Sequence, residues 1–260
     1  MATRFPSVFV SHGAPTLLLD ACPAREFLAG LGRELGRPRA VLCVSAHWEA
    51  SRPALTTAAR PATIHDFSGF PRELYDITYP APGDPELARR AAELLDAAGL
   101  AAAADSRRGL DHGAWVPLAL VFPAADVPTV QLSVQTALGP RHHLELGRAL
   151  APLREEGVLL LGSGGATHNL LEFGGQRLDE KAPAHVRAFE EWLCATVERG
   201  DDQALVDYRR TGPEAPRIHP TAEHFLPLLV PAGAGHGGGG RVLHRSFTYG
   251  VLSMAAFAWE

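Results

Sequence analysis

Twelve histidines, against four tyrosines and four tryptophans, are the one compositional excess of this 260-residue chain. Two of them are placed alike. Val8-Phe9-Val10 is a short apolar run that ends on Ser11-His12, and Gly13-Ala14-Pro15 then forbids regular structure. The pattern recurs at Val41-Leu42-Cys43-Val44, which ends on Ser45-Ala46-His47-Trp48. In α/β proteins ligands gather at the carboxyl ends of parallel strands, so two buried strands that each deliver an imidazole there read as two arms of one site. Neutral imidazole is the commonest metal ligand, and the pairing points to a shared metal ion. A third strand, Val158 to Gly162, leaves through Ser163-Gly164-Gly165 towards His168. Later, His219-Pro220-Thr221-Ala222-Glu223-His224 offers further ligands. With Pro220 as a first helical residue, Glu223 and His224 project about 100° apart. One of the two can then enter a coordination sphere while the other supports it from behind.

Other chemistry fits less well. Gly162-Ser163-Gly164-Gly165 lacks the lysine of a phosphate loop and the third glycine of a dinucleotide fingerprint. Its glycines are expected to let backbone approach a small ligand closely. Ser163 is out of register for a Gly-x-Ser-x-Gly nucleophile elbow, which argues against a serine hydrolase. His65, His142, His143, His185, His236 and His244 fall in helical, loop or edge contexts, where structural roles are the expectation. Cys22, Cys43 and Cys194 show no metal-binding spacing, and Cys43, inside a strand, reads as a small inert core thiol.

The elements that must carry these residues alternate between strand and helix. Helical patterns run over Pro23–Gly36, with Phe27, Leu28, Leu31 and Leu35 on one face, and over Pro85–Ala98, capped by Asp84. Further helices are expected at Ala114–Phe122, Pro140–Arg154, Ala182–Arg199 and from Pro220 to Pro231. Additional strands are expected at Ala54–Ala58, Pro128–Val134 and Arg241–Tyr249. Residues Ala62 to Pro85 form a long irregular stretch of the kind that serves as a lid or binding loop. Its Phe67, Phe70, Tyr75 and Tyr79 either wall a substrate or anchor the loop to the core. Ala232 to Gly240, almost all glycine and alanine, reads as a flexible loop. The alternation predicts a single-domain, layered α/β fold over residues 1–260, with a mostly parallel central sheet flanked by helices.

Composition bounds the partners. A formal charge of −5 argues against a general nucleic-acid or anionic-membrane binder. No run approaches the ~20 apolar residues of a membrane span. Met1-Ala2-Thr3-Arg4 opens no signal-peptide core, and with sparse, unpaired cysteines a cytoplasmic protein is expected.

Taken together, these residues resemble the class III extradiol ring-cleavage dioxygenases, in the branch that includes 4,5-DOPA dioxygenase. The resembling pieces are Ser11-His12-Gly13-Ala14-Pro15, Ser45-Ala46-His47-Trp48, Ile64-His65-Asp66-Phe67-Ser68-Gly69-Phe70-Pro71 and Tyr79-Pro80-Ala81-Pro82-Gly83. They continue with Asp111-His112-Gly113-Ala114-Trp115, Gly162-Ser163-Gly164-Gly165 through His168-Asn169-Leu170, His219-Pro220 through Glu223-His224, and Ser246-Phe247-Thr248-Tyr249-Gly250. Each alone is common; the ordered set, spread over almost the whole chain, is specific. The resemblance implies a mononuclear non-haem Fe(II) site, with zinc as the ion often carried by isolated proteins of the family. It implies His12 and His47 as metal ligands with His224 completing the set, and Glu223 as the carboxylate alternative of a 2-His-1-carboxylate face. His168 would be the acid/base beside the metal and a ligand of a resting zinc. His112, His65 and Phe70 would meet the substrate, with His112 at its hydroxyl or at oxygen. The implied reaction cleaves a DOPA-like catechol with O2 to a hydroxymuconic semialdehyde, and a homo-oligomer is compatible with the chain. Two rivals come from other classes: a zinc-dependent amide hydrolase with Glu223 as general base, and a non-catalytic binding module on the same fold.

Overall fold

Side chains along the strands alternate between two apolar layers, and this alternation builds the molecule. Phe9, Leu42, Val44 and Leu160 face one layer, while Val8, Val10, Val41, Cys43, Leu159 and Leu161 face the other. The structure, a computed structural model, describes residues 4–236 and 238–260. Residues 1–3 of the amino terminus and Gly237 of the glycine-rich stretch lie outside the described residues.

Ten strands are present among the described residues: β1 (Ser7–Ser11), β2 (Ala40–Glu49), β3 (Ala54–Thr56), β4 (Ala103–Asp105), β5 (Thr129–Val134), β6 (Val158–Gly164), β7 (Arg241–His244), β8 (Phe247–Thr248), β9 (Leu252–Ser253) and β10 (Ala256–Trp259). Eight form one sheet in the order β4-β3-β5-β2-β6-β1-β10-β7, and β8 pairs with β9 separately. Strands β5, β2, β6 and β1 run parallel, β10 runs antiparallel to β1, and β3 runs antiparallel to β5. The expected layered α/β architecture with a mostly parallel sheet is therefore what the chain forms. Helices Pro85–Ala97, Gly139–Leu150, Ala184–Glu198 and Leu226–Ala234 cover one face. Pro23–Leu35 and His112–Val121 cover the other. Among the described residues no helix is long and apolar enough to cross a membrane.

The helix faces read from the sequence are those that pack. Leu28 and Leu31, Leu87, Ala91 and Leu95, and Val186, Phe189, Leu193 and Val197 are all buried. All three cysteines are buried and free, and burial pushes the Cys43 thiol well up, as an inert core thiol requires.

Three expectations need correcting. Ala232–Ala234 is not a flexible loop: it completes the helix Leu226–Ala234 and is buried. Its small residues let two helices touch, since a Cβ on Gly233 would stand 2.1 Å from the Leu144 carbonyl oxygen. The helix itself does not begin at Pro220 but at Leu226, and residues 219–225 form bends and turns. Arg241–Tyr249 is not one strand: β7 ends at His244, and Phe247–Thr248 belongs to the separate β8–β9 pair. The strand that joins the sheet beside β1 is β10, one in from the edge, which pairs along the whole of Val10 to Ser7. Arg154, 1% exposed, ties these ends together by donating to the carbonyl oxygens of Phe5, Ala234 and Trp259 at 2.8–2.9 Å.

His143 is fully buried, and both ring nitrogens are committed. Its Nδ1–H donates to the Gly139 carbonyl at 2.8 Å and its Nε2 accepts the Gln135 N–H at 3.0 Å. Burial, partly opposed by the Gly139 contact, lowers its pKa to about 4. The folded state thus refuses a proton that the unfolded chain takes up near pH 6.5, so stability is complete above that pH and is lost as pH falls towards 4. The loss attributable to this one ring is on the order of 3 kcal/mol over the window. In chemical denaturation of the metal-free protein, His143→Gln should flatten the fall of unfolding free energy between pH 6.5 and 4 by about one proton's slope. Equal slopes in variant and wild type would contradict the assignment.

Candidate metal centre

Strand β6 lies between β1 and β2, so the residues leaving all three at the same edge are neighbours. His12 follows β1 and is 2% exposed; His47 lies near the end of β2. The two Nε2 atoms stand 3.0 Å apart, and His224 Nε2 stands 3.2 Å from that of His47.

The second nitrogen of each ring fixes which nitrogen bears the proton. Ser163 sits on β6 and donates its only hydroxyl hydrogen to the Gly113 carbonyl, so its oxygen must accept from His12 Nδ1 at 2.9 Å. His224 Nδ1 meets the Glu223 carboxylate at 3.1 Å and donates to it. His47 Nδ1 faces Asp66 at 3.8 Å, a charge contact rather than a hydrogen bond. The Nε2 atoms of His12 and His224 are therefore proton-free, and both face the Nε2 of His47. Protonation cannot relieve them. Burial, then His47 and His224, hold His12 well below the usual imidazole range. Burial, then His168 and His47, do the same to His224, and burial followed by His112 lowers His47 to about 3. Such a trio suits one divalent cation, because the three Nε2 atoms converge while each ring has its other nitrogen turned away.

The neighbouring chain is shaped to hold this trio. Gly162 and Gly164 do not open space for a ligand, as the sequence suggested; they admit the chain that carries His224. A Cβ on Gly164 would lie 2.1 Å from the His224 carbonyl oxygen, and one on Gly162 would lie 2.2 Å from that of Pro227. The His224 carbonyl accepts from Gly165 N–H at 2.9 Å, and buried His219 bonds the Ala166 carbonyl at 3.1 Å. Pinned at both places, residues 219–225 cannot wind into the expected helix. Glu223 instead points behind His224, held also by the Thr221 hydroxyl at 2.9 Å. The carboxylate supports the imidazole here and offers no oxygen to the cluster of Nε2 atoms.

Asp111, wholly buried, joins two further arms. It accepts from the Ser45 hydroxyl at 2.6 Å, from Arg108 at 2.9 Å and from the Gln131 amide. It also caps the helix His112–Val121 through Ala114 N–H. Ser45 in turn accepts the His47 N–H at 3.2 Å. One carboxylate thus sets both the end of β2 and the helix start that bears His112.

His112 is held by Asp66, whose Oδ1 accepts both its backbone N–H and its ring Nδ1–H at 2.9 Å. Burial alone would raise the Asp66 pKa, but these bonds and the His112 charge outweigh it and bring the carboxyl to about 2. Asp66 stands in one of the resembling motifs but was given no role of its own in the sequence. His168 stacks on His224, with ring centroids 3.4 Å apart and planes 9° from parallel. Burial lowers its pKa, partly opposed by Glu223. Two more groups have ligand atoms within 4.8 Å of one another, His47 with Asp66 and His112, and His168 with Glu223 and His224. Each contains carboxylate–imidazole contacts already described, whereas His12, His47 and His224 converge through ring nitrogens alone.

A cavity of about 430 Å³ opens onto this centre. His47, His112, His168 and His224 line it, together with Phe67 and Phe70 of the long irregular loop. That loop divides its aromatics between the two roles expected of them. Phe67 and Phe70 form wall, while buried Tyr79 anchors the loop through its hydroxyl to the Phe122 carbonyl at 3.1 Å. His65 does not line the cavity. Its Nε2 bonds the Ile77 carbonyl at 2.9 Å and its ring packs edge-on against Phe67 and Trp115, so it props the wall from behind.

Comparisons with known proteins agree with the geometry. Residues 9–258 match the family described as the catalytic LigB subunit of aromatic ring-opening dioxygenase. The chain is 41% identical over 254 residues to 4,5-DOPA dioxygenase extradiol of Beta vulgaris, covering 96% of this chain and 94% of that protein. It is 40% identical over 243 residues to the protein of that name in Escherichia coli K12, covering 91% and 87%. The crystal structure of an uncharacterized protein from Escherichia coli K12 superposes with a TM-score of 0.82 at 34% identity, covering 99% of this chain and all of that one. An eight-stranded α/β sheet with a histidine trio at the edge of its three central strands is thus the form this sequence takes, and the chain belongs to the LigB family of aromatic ring-opening dioxygenases.

Proposed function

We propose that this protein is an Fe(II)-dependent extradiol dioxygenase that opens a catechol ring with O2 to a hydroxymuconic semialdehyde-type product. The observation that carries the proposal is the convergence of three imidazole Nε2 atoms beside a cavity that His112 and His168 also line. The names of the relatives, 4,5-DOPA dioxygenase extradiol, support the reaction class.

In this reading His12, His47 and His224 hold the ion. A ferrous ion there supplies Lewis acidity that eases ionisation of a catechol hydroxyl and the redox chemistry that engages O2. The remaining tasks fall to side chains. His168, kept neutral by burial, takes a proton from a substrate hydroxyl and returns it as the ring opens. His112, fixed at Nδ1 by Asp66, leaves Nε2 for the substrate hydroxyl or oxygen. Phe70 and Phe67 flank the aromatic ring, and His65 acts on the substrate only through the wall it supports. Glu223, occupied at His224 Nδ1, is poorly placed as the general base of an amide hydrolase.

Anaerobic reconstitution with Fe(II), followed by a catechol panel, should give O2 uptake and a yellow semialdehyde. Zinc-dependent amide hydrolysis with no O2 uptake on any catechol would favour the hydrolase instead. His224→Ala should lose stoichiometric metal, whereas Glu223→Gln should retain it with affinity weakened ~10–100-fold, as changes behind a ligand do. The reverse pattern, read by metal analysis of the purified variants, would put the carboxylate on the ion. His168→Phe should still bind iron and catechol but lose turnover by on the order of 10²–10⁴-fold, the usual size of an acid–base contribution. Unchanged turnover in that variant would remove His168 from the chemistry, and metal loss as large as in His224→Ala would make it a permanent ligand.

A further inference from the structure

The histidines around this centre are oriented by polar partners, with one exception. Ser163, Asp66 and Glu223 fix the rings of His12, His112 and His224 through Nδ1, and Asp66 also faces Nδ1 of His47. Among the described residues the ring of His168 makes no hydrogen bond, and it meets the others by stacking on His224 at 3.4 Å. Its position therefore depends on the backbone it leaves, and on how that backbone is registered against the segment carrying His224.

Three bonds set this register from within. Gly165 N–H donates to the His224 carbonyl at 2.9 Å, and His168 N–H donates to the Ile218 carbonyl at 3.2 Å. Between them His219 Nε2–H donates to the Ala166 carbonyl at 3.1 Å. A carbonyl only accepts, so the proton of a neutral His219 lies on Nε2. Asn169 adds a bond to the Arg217 carbonyl at 2.7 Å, but from an exposed position. Among the described residues His219 thus makes the one buried side-chain bond between the two segments.

The His219 ring has no room to swing. It is wholly buried and boxed edge-on by Phe189, Tyr208 and Phe225, with centroids 5.3–6.0 Å away. Its backbone is tied on both sides, the N–H to the Ala215 carbonyl at 2.9 Å and the carbonyl to the Arg209 guanidinium at 3.0 Å. Burial, partly opposed by the Ala166 bond, lowers its pKa to about 3 and keeps it neutral. Nδ1 is buried with no protein partner, so the bond to Ala166 is the ring's one polar contact. His143, by contrast, engages both nitrogens within its own stretch of chain.

We propose that His219 is a positioning residue: by clamping the segment that bears His224 to Ala166, it sets His168 in its stack against His224. The part played by His168 rests on the dioxygenase reading, whereas the placing of His224 rests on the histidine trio alone.

Two variants separate this role from packing. His219→Leu keeps a buried apolar side chain and removes the donor, while His219→Gln keeps an N–H donor of similar reach. In metal-free protein titrated with Zn(II), His219→Leu should bind ~10-fold more weakly than wild type, and His219→Gln should recover most of that loss. In Fe(II)-saturated protein assayed on a catechol panel, kcat of His219→Leu should fall ~10–100-fold with KM changed far less, the effect of a slightly misplaced reacting group. Glutamine should again restore it. Wild-type zinc affinity or wild-type kcat in a folded His219→Leu protein, or a glutamine variant no better than leucine, would overturn the proposal. If zinc affinity is lost and recovered as stated but wild type cleaves no catechol, the dioxygenase reading fails and the clamp on His224 stands. Should His219→Leu not fold, wild type decides. Long-range ¹H–¹⁵N correlation should show His219 neutral with its proton on Nε2, and a proton on Nδ1 would overturn the clamp, since Nε2 could then donate nothing to Ala166.

Discussion

Three imidazole Nε2 atoms gathered at one sheet edge, with that of His47 at 3.0 and 3.2 Å from those of His12 and His224, are the constraint on which the rest of this structure depends. Left alone, the arrangement is unfavourable. The bare nitrogens of His12 and His224 have only the one ring of His47 to meet, burial denies them water, and the same burial keeps the rings from taking up protons. A cation converts each of these costs into a favourable term, and its binding free energy then becomes part of the folding free energy. Much of the surrounding chain holds the rings in this arrangement.

The parallel core supplies the coarse placement. With β6 flanked by β1 and β2, two histidines reach the same edge from opposite sides. Fine placement comes from side chains whose own hydrogen bonds leave no freedom. Ser163 can only accept from His12 because its hydrogen is spent on Gly113, and Asp111 fixes Ser45 and the start of the His112 helix at once. Glu223 does for His224 what Ser163 does for His12, with the added effect of a negative charge behind the ring. These partners lie on four separate segments of the chain, so the site is a property of the packed sheet edge and not of any one loop.

How much of this could be read in the sequence follows from how local each feature is. His12 and His47 were legible because a strand, a histidine and a breaker follow one another directly, and burial of the strand then dictates where the ring goes. The placement of Glu223 behind His224 was not. It turned on whether residues 219–225 are helical, and that is decided by Gly165 and Ala166, more than fifty residues away. The role of Asp66 was hidden because its partner His112 lies 46 residues further on. Strand β10 was missed because Ala256-Phe257-Ala258-Trp259 draws its stability from pairing with β1 and not from its own composition. The alanine and glycine run at 232–234 deceived for the opposite reason: small residues that look like a linker are what allow two helix backbones to meet. The resemblance carried by the ordered motifs reached further than periodicity could, since it tied distant pieces together before their contacts were known.

The tautomers of His12 and His224 test the central claim most directly. Long-range ¹H–¹⁵N correlation of the histidine rings in metal-free protein near pH 7 reports which nitrogen bears the proton. Both rings should be neutral with the proton on Nδ1, and one equivalent of Zn(II) should shift their Nε2 resonances while leaving the Nδ1–H in place. A proton on Nε2 of either ring, a doubly protonated ring, or Nε2 resonances indifferent to the metal would contradict the account.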